Sequence, residues 1–196
     1  MKYFAALILL LAPAFAFAAD AKVISHYVLV PEQSKLKFVA IQNNAPVEGA
    51  FKNFSADIRF SPDDLDHSRI TAEVDVASMF TAYAEVATQL AAPEWLDATQ
   101  FPKATLRTTK IRQMPDRMND DRHYYYAESE LTIRGKTMPV EMDFVLARLD
   151  SVGAVAEGRI SLQRRDFGVG QGKWQSTDAV EDVVSVTFRV AAKKVP

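Results

Sequence analysis

The sequence has 196 residues, of which 48% are hydrophobic, with 23 basic and 25 acidic side chains and no cysteine. This length suffices for one domain with a substantial core, and the lack of cysteine excludes disulfides and thiolate metal sites. The formal net charge of −2 excludes the basic footprint typical of proteins that bind nucleic acids or anionic lipid surfaces.

The N-terminal segment has the pattern of a secretory signal peptide. Lys2 supplies a positive start, Tyr3 to Phe17 is apolar, and a small-x-small motif ends at residue 18. We therefore expect residues 1–18 to be removed and residues 19–196 to form one periplasmic domain. The alternative is a retained membrane anchor, but the apolar run is too short to span a bilayer comfortably.

One stretch shows a strand pattern without interruption. From Phe54 to Phe60 apolar and polar residues alternate, which predicts a strand with one hydrophobic and one hydrated face. The same alternation recurs along the chain, and it predicts strands around residues 27–30, 35–40, 47–51, 54–60, 70–76, 103–111, 124–133, 140–146, 156–162 and 184–190.

The connections between these strands are mostly short. Asn43 and Asn44 predict a turn, Arg134-Gly135-Lys136 predicts a tight hairpin, and Met114 to Asp121 predicts a polar loop. Between Thr81 and Leu96 the apolar spacing changes to three and four, which predicts a helix that acts as a connector or as a lid. Eight to ten strands with short turns indicate an all-β fold, either a sandwich or a barrel.

The motifs that usually carry catalysis or metal binding are missing. The loop Gly168 to Gly172 lacks the βαβ context of a nucleotide site, and no serine lies in a G-x-S-x-G elbow. The three histidines, His26, His67 and His123, are far apart, and no pair has metal-ligand spacing. We therefore predict no catalytic residue and no metal, although distant strands could still bring an active site together.

The remaining signal is apolar and aromatic, because phenylalanines recur on the predicted inward faces. These residues would either pack against one another or line a cavity for one elongated apolar ligand, as small closed barrels can do.

Four motifs in this order resemble the YceI-like family of periplasmic proteins that bind polyisoprenoid lipids and quinones. The motifs are G-A-F-K-N-F (49–54) with I-R-F (58–60), W-L-D (95–97) with F-P-K-A (101–104), L-T-I-R-G (131–135) with M-P-V (138–140), and R-D-F-G-V-G-Q-G-K-W (165–174). The last motif resembles the branch fused to cytochrome b561-type membrane domains.

The resemblance implies a single antiparallel lipocalin-like β-barrel with one short helical segment near a barrel mouth. It implies a bound isoprenoid lipid or quinone rather than a required cofactor, a monomer or homodimer, and a cytochrome b561-type membrane protein as a partner. The expected apolar lining is Phe38, Phe51, Phe54, Ile58, Phe60, Leu90, Leu131, Phe144 and Phe188. The expected mouth or head-group residues are Trp95, Arg165, Gln171 and Trp174.

Two other functions stay open at this point. An outer-membrane barrel would show the same alternation, although charges recur on the polar faces and paired aromatic girdles are missing. The protein could instead act on a quinone head group, as an enzyme or accessory protein in envelope redox chemistry or stress response.

The signal-peptide prediction can be checked by intact mass. Protein recovered from a periplasmic extract is expected to begin at Ala19, because the cleavage motif ends one residue earlier. A product that retains residues 1–18, or that is recovered only with detergent, would contradict the expected export.

Overall fold

The computed structural model describes residues 23–114 and 122–196. The predicted signal peptide, and the predicted polar loop after Met114, lie outside the described residues. The described chain forms one α-helix and eleven strands, which are β1 (Ser25–Leu29), β2 (Lys35–Gln42), β3 (Ala45–Phe51), β4 (Phe54–Phe60), β5 (Arg69–Asp75), β6 (Met79–Thr81), α1 (Ala84–Ala91), β7 (Lys103–Gln113), β8 (His123–Ile133), β9 (Lys136–Leu149), β10 (Gly153–Gln163) and β11 (Val180–Lys194).

Eight of these strands close into an antiparallel barrel in the order β1-β4-β5-β7-β8-β9-β10-β11. β11 completes the ring by pairing with β1, so that Tyr27 faces Lys194 across the seam. The first part of β11 pairs instead with β2, where Phe188 faces Leu36. The predicted lipocalin-like barrel is therefore confirmed, and the sandwich alternative is wrong.

Three of the barrel strands are interrupted, which explains why eleven segments are present. β1 and β2 are separated by a 3₁₀ turn that begins at Pro31, a residue that cannot donate to the sheet ladder. β5 and β6 are separated by a second such turn, capped where the Asp75 carboxylate accepts from the Ala77 N–H at 3.0 Å. β3 and β4 are separated by Lys52 and Asn53.

These breaks leave the barrel wall incomplete at one end, which we call the upper end. β7 pairs with β5, whereas β6 pairs with β3 and ends the sheet. Residues 92–102 lie in this position, and the Val76 N–H donates to the Pro102 carbonyl at 2.9 Å. Helix α1 packs on β6 beside them and buries none of its own residues completely. The predicted helix near a mouth is thus confirmed.

Two hairpins at the upper end have the tight turns that the sequence predicts. Asn43 and Asn44 have φ values of 49° and 62°, and Arg134 and Gly135 have 51° and 70°. Positive φ at both central residues is the type I′ geometry, whose twist matches that of the flanking strands.

The opposite, lower end is closed by aromatic rings. Tyr125 stacks on Phe144 with ring centroids 5.2 Å apart, and Phe60 meets Tyr125 edge-on at 5.3 Å. All three side chains are buried. The loop below them is tied together by Ser68, whose hydroxyl donates to the Asp64 carbonyl and accepts from the Ser61 N–H.

The polar faces of the strands point away from the barrel interior. Cross-strand ion pairs lie on this outer surface, for example Lys103 with Glu73 at 2.7 Å and Arg112 with Glu128 at 2.8 Å. The hydrophobic faces therefore point inward. Among the described residues, no helix is both long and apolar enough to cross a membrane.

Candidate functional site

The barrel interior contains a cavity of about 220 Å³, which we call the main cavity. Its lining consists of apolar and aromatic side chains from all eight barrel strands and from β2, β3 and residues 76 and 96, without a single charged residue. Seven of the residues predicted to line an apolar site contribute to it, namely Phe51, Phe54, Ile58, Phe60, Leu131, Phe144 and Phe188.

The main cavity suits a hydrocarbon better than water. A buried water needs two to four polar partners, and an apolar cavity of about 150 Å³ is known to stay dry and to bind benzene. The space here is larger, and its side chains offer almost no hydrogen-bonding group. The site can therefore accept apolar groups by burial alone.

Small residues lie side by side on neighbouring strands of the inner wall, and their short side chains leave part of the cavity open. Ala56 on β4 faces Ala72 on β5, and Ala154 on β10 faces Ala192 on β11. All four line the main cavity. The sequence prediction concentrated on phenylalanines and missed these alanines, which recur at the same alternating positions and are the signal that could have revealed them.

Gly158 has a related role beside Phe188. A Cβ atom at this position would overlap both the Phe188 ring and the Asp143 carbonyl of the neighbouring strand. The absence of a side chain therefore lets the Phe188 ring lie against β10, where it forms part of the cavity wall.

A second, smaller pocket of about 60 Å³ lies at the upper end, between β2, β3, α1 and the loop before β11. We call it the second pocket. Two residues predicted to line the main cavity, Phe38 and Leu90, line this pocket instead. The pocket also contains Trp95 and Trp174, whose ring centroids are 5.4 Å apart.

The position of Phe38 follows from the residue it faces. Gly49 pairs with it across β2 and β3, and a Cβ on Gly49 would overlap the Phe38 ring. Phe38 also contacts Phe51, at 5.8 Å between centroids, and Phe51 lines the main cavity. This aromatic pair therefore lies between the two cavities. Leu90 lies outside the barrel interior because it belongs to α1, which packs on β6.

Arg165 and Gln171, the other two residues predicted to lie at the mouth, line neither cavity. The Arg165 guanidinium pairs with the Asp182 carboxylate at 2.9 Å, and this hydrogen bond lowers the pKa of Asp182. The exposed Gln171 side chain donates to the Gly168 carbonyl at 3.2 Å. Both residues shape the loop between β10 and β11, while Trp95 and Trp174 face the second pocket.

The buried arginine of this region is the preceding residue, Arg164, which the sequence prediction did not select. It is 3% exposed, and burial lowers the pKa of its guanidinium. Its N–H groups donate to backbone carbonyls at 2.8–3.4 Å, those of Val169, Gly170, Ser176, Val180 and Glu181.

Gly170 makes this arrangement possible. A Cβ there would overlap the Arg164 guanidinium, and the residue has a φ of 81°. This is the close backbone approach that the glycines of the loop suggest from sequence. The guanidinium also lies 5.8 Å from the centre of the Trp95 ring.

A second arginine holds the segment that contains Trp95. Arg134, at the tip of the β8–β9 hairpin, donates to the carbonyls of Pro93 at 2.7 Å and Trp95 at 2.5 Å. Its guanidinium lies 5.6 Å from the centre of the Phe101 ring. The paired N–H groups of Gly170 and Gln171 also donate to the Glu94 carbonyl, so this segment is fixed from both sides.

No cluster of three or more potential metal ligands occurs within residues 23–114 and 122–196. The His26 Nε2 atom lies 2.6 Å from Oδ2 of Asp57, and the His67 Nδ1 atom lies 2.8 Å from Oδ1 of Asp64, both within hydrogen-bond distance. Each of these two histidines belongs to a surface pair with an aspartate, and neither lines the main cavity or the second pocket.

The fold and the cavity define an antiparallel lipocalin-like barrel with an apolar interior. A model of the YceI-like domain matches residues 27–192, and the chain therefore belongs to the YceI-like family. The protein YceI of Salmonella arizonae is 26% identical over 145 residues, which cover 70% of this chain and 71% of that protein.

Two solved structures have a similar fold. The crystal structure of Burkholderia cenocepacia BcnA has a TM-score of 0.74 and 30% identity, over 83% of this chain and 98% of that one. A polyisoprenoid-binding domain from Saccharophagus degradans, implicated in plant cell wall breakdown, has a TM-score of 0.66 and 11% identity, over 88% and 100% of the two chains.

Substitution of Arg164 by methionine is expected to lower the free energy of unfolding by about 3 kcal/mol, because several buried carbonyls lose their donor at once. Urea denaturation followed by circular dichroism measures this change. Arg165→Met is the matched control, since it removes only a surface ion pair, and its small effect should shrink further as salt is added. Equal destabilisation by the two substitutions would contradict the assignment of Arg164 as the residue that holds the loop.

Proposed function

We propose that this protein binds the isoprenoid tail of a quinone or polyprenyl lipid in the main cavity and sequesters or carries it through the periplasm. The observation that supports this proposal most strongly is the uncharged hydrocarbon lining of a cavity inside a closed barrel. An aliphatic tail is the ligand whose transfer into such a space is favourable without any specific polar contact.

Burial of the tail is the main favourable contribution to the free energy of binding. Burial of about 500 Å² of tail surface would contribute roughly 12 kcal/mol at about 25 cal/mol per Å². Association and ordering would offset roughly 4–15 kcal/mol of this gain, so affinity will depend on how much of the tail is enclosed.

The relatives support the same class of ligand. The Saccharophagus degradans structure is described as a polyisoprenoid-binding domain, and its barrel has the same fold as this chain. The identity of 11% means that this likeness concerns the fold, and the ligand is carried over here as a proposal.

We propose binding without catalytic turnover. The main cavity contains no carboxylate, imidazole or amine that could act as an acid, base or nucleophile. The predicted export to the periplasm agrees with this role, because a hydrophobic tail needs a protein shell to cross an aqueous compartment. A cytochrome b561-type membrane protein remains our proposed partner.

Partly filling the main cavity should weaken ligand binding without unfolding the barrel. Ala72→Phe places a ring in the cavity, and the loss of about 60 Å² of tail contact, worth about 1.5 kcal/mol, should weaken binding of ubiquinone-2 by at least tenfold. Displacement of a fluorescent apolar probe measures the affinity.

Thr71→Phe is the matched control, because it adds the same ring to the exposed face of the same strand. It should leave the affinity unchanged. Equal affinities for the wild type and Ala72→Phe would show that the ligand binds elsewhere and would overturn the proposal.

A further inference from the structure

The indole N–H of Trp95 has no hydrogen-bond partner among the described residues. The Nε1 atom is buried, and the whole residue is only 7% exposed. Leaving a buried donor unsatisfied costs about 1–3 kcal/mol, so most buried polar groups in proteins have a partner. The side chain lies in the lining of the second pocket, where a ligand could supply the missing acceptor.

The chemistry around this donor favours an uncharged acceptor. No charged residue lines the second pocket, whose polar side chains besides the two tryptophans are the amides of Gln42 and Gln89. The Arg164 guanidinium lies close to the Trp95 ring, but its N–H groups are directed at five loop carbonyls. Arg164 therefore offers no free donor to a phosphate group in this pocket, and the other nearby cation, the Lys173 ammonium 5.0 Å from the centre of the Trp174 ring, belongs to an exposed side chain.

The second pocket is positioned to receive the end of a chain that occupies the main cavity. Phe51 lines the main cavity, Phe38 lines the second pocket, and their rings are in contact. Trp95 and Leu96, which are adjacent in sequence, line the second pocket and the main cavity respectively. A ligand with its tail in the main cavity and its polar head in the second pocket would run past this aromatic pair.

The volume of about 60 Å³ admits a small polar group, and a complete ring would need a wider space. Helix α1 forms one wall through Val86 and Leu90, and it has no fully buried residue. A helix with so few buried contacts can shift at small cost in free energy. The second pocket can therefore widen on the side of α1.

We propose that the second pocket is the head-group subsite, and that the Trp95 indole N–H donates a hydrogen bond to an uncharged ligand oxygen such as a quinone carbonyl. This inference rests on the proposed function and adds the chemical class of the head group. It implies that the Trp95 N–H determines which head group is preferred among ligands with an isoprenoid tail.

The two tryptophans of the chain allow a direct spectroscopic test. A ¹⁵N-labelled sample gives two indole N–H resonances, and the Trp174→Phe variant assigns the one from Trp95. Ubiquinone-2 should move the Trp95 indole proton downfield, because it gains an acceptor, whereas squalene, an isoprenoid without oxygen, should not. An indole resonance that responds equally to both ligands would overturn the proposal.

The matching affinity test compares Trp95→Phe with Trp174→Phe, the same substitution on the two faces of the aromatic contact. Trp95→Phe should lower the preference for ubiquinone-2 over squalene by about tenfold, the value of one buried hydrogen bond. Trp174→Phe should keep the wild-type ratio, whatever its effect on the two separate affinities. Loss of the ratio in both variants, or in neither, would contradict a specific role for the Trp95 N–H.

Two further outcomes separate this inference from the proposed function. If the wild type binds neither squalene nor ubiquinone-2, the proposed function itself fails. If it binds both, but geranyl phosphate, whose tail has the same two isoprene units as ubiquinone-2, binds more tightly than ubiquinone-2, the tail site stands and the uncharged head-group subsite is wrong.

Discussion

The closed hydrogen-bonded ring is the constraint on which the rest of the structure depends. Once β11 has paired with β1, the distance across the barrel is set by strand number and tilt, and only side chains can fill the space between the walls. At the lower end Phe60, Tyr125 and Phe144 are large enough to meet. Elsewhere on the inner wall, alanines lie side by side on paired strands, and their side chains are too short to fill the space in front of them. The main cavity is the direct result of this difference in side-chain size.

The upper end of the barrel follows from the three interrupted strands. Because β6 has no sheet partner on its outer side among the described strands, residues 92–102 and α1 complete the wall with few backbone hydrogen bonds to it. Two arginines compensate by donating to backbone carbonyls, Arg134 to the segment with Trp95 and Arg164 to the loop before β11. Both pin the backbone around the second pocket, while α1 is held mainly by β6. Arginine hydrogen bonds thus fix the backbone on two sides of the second pocket, and α1 forms the third side.

Alternation along the chain was sufficient to predict ten of the strands, because each has one face in the core and one in water. β6 was missed because three residues are too few to show a period. Alternation also could not tell which neighbouring arginine points inward, since Arg164 and Arg165 begin a loop where the strand period no longer applies. Phe38 was assigned to the correct face of β2, but its ring leans over Gly49 and reaches the second pocket, a packing detail that no one-dimensional pattern contains. The cavity itself depends on the alanines that lie side by side on paired strands, and this register becomes visible only when the strands are paired.

The central claim is that the barrel encloses a hydrocarbon chain in the cell. Native mass spectrometry of protein taken directly from a periplasmic extract, without added lipid, tests it most directly. The account predicts an adduct that is released on activation and fragments as an isoprenoid, and that is lost from a variant whose cavity is filled. A bare polypeptide mass, unchanged after incubation with ubiquinone and polyprenol, would contradict it.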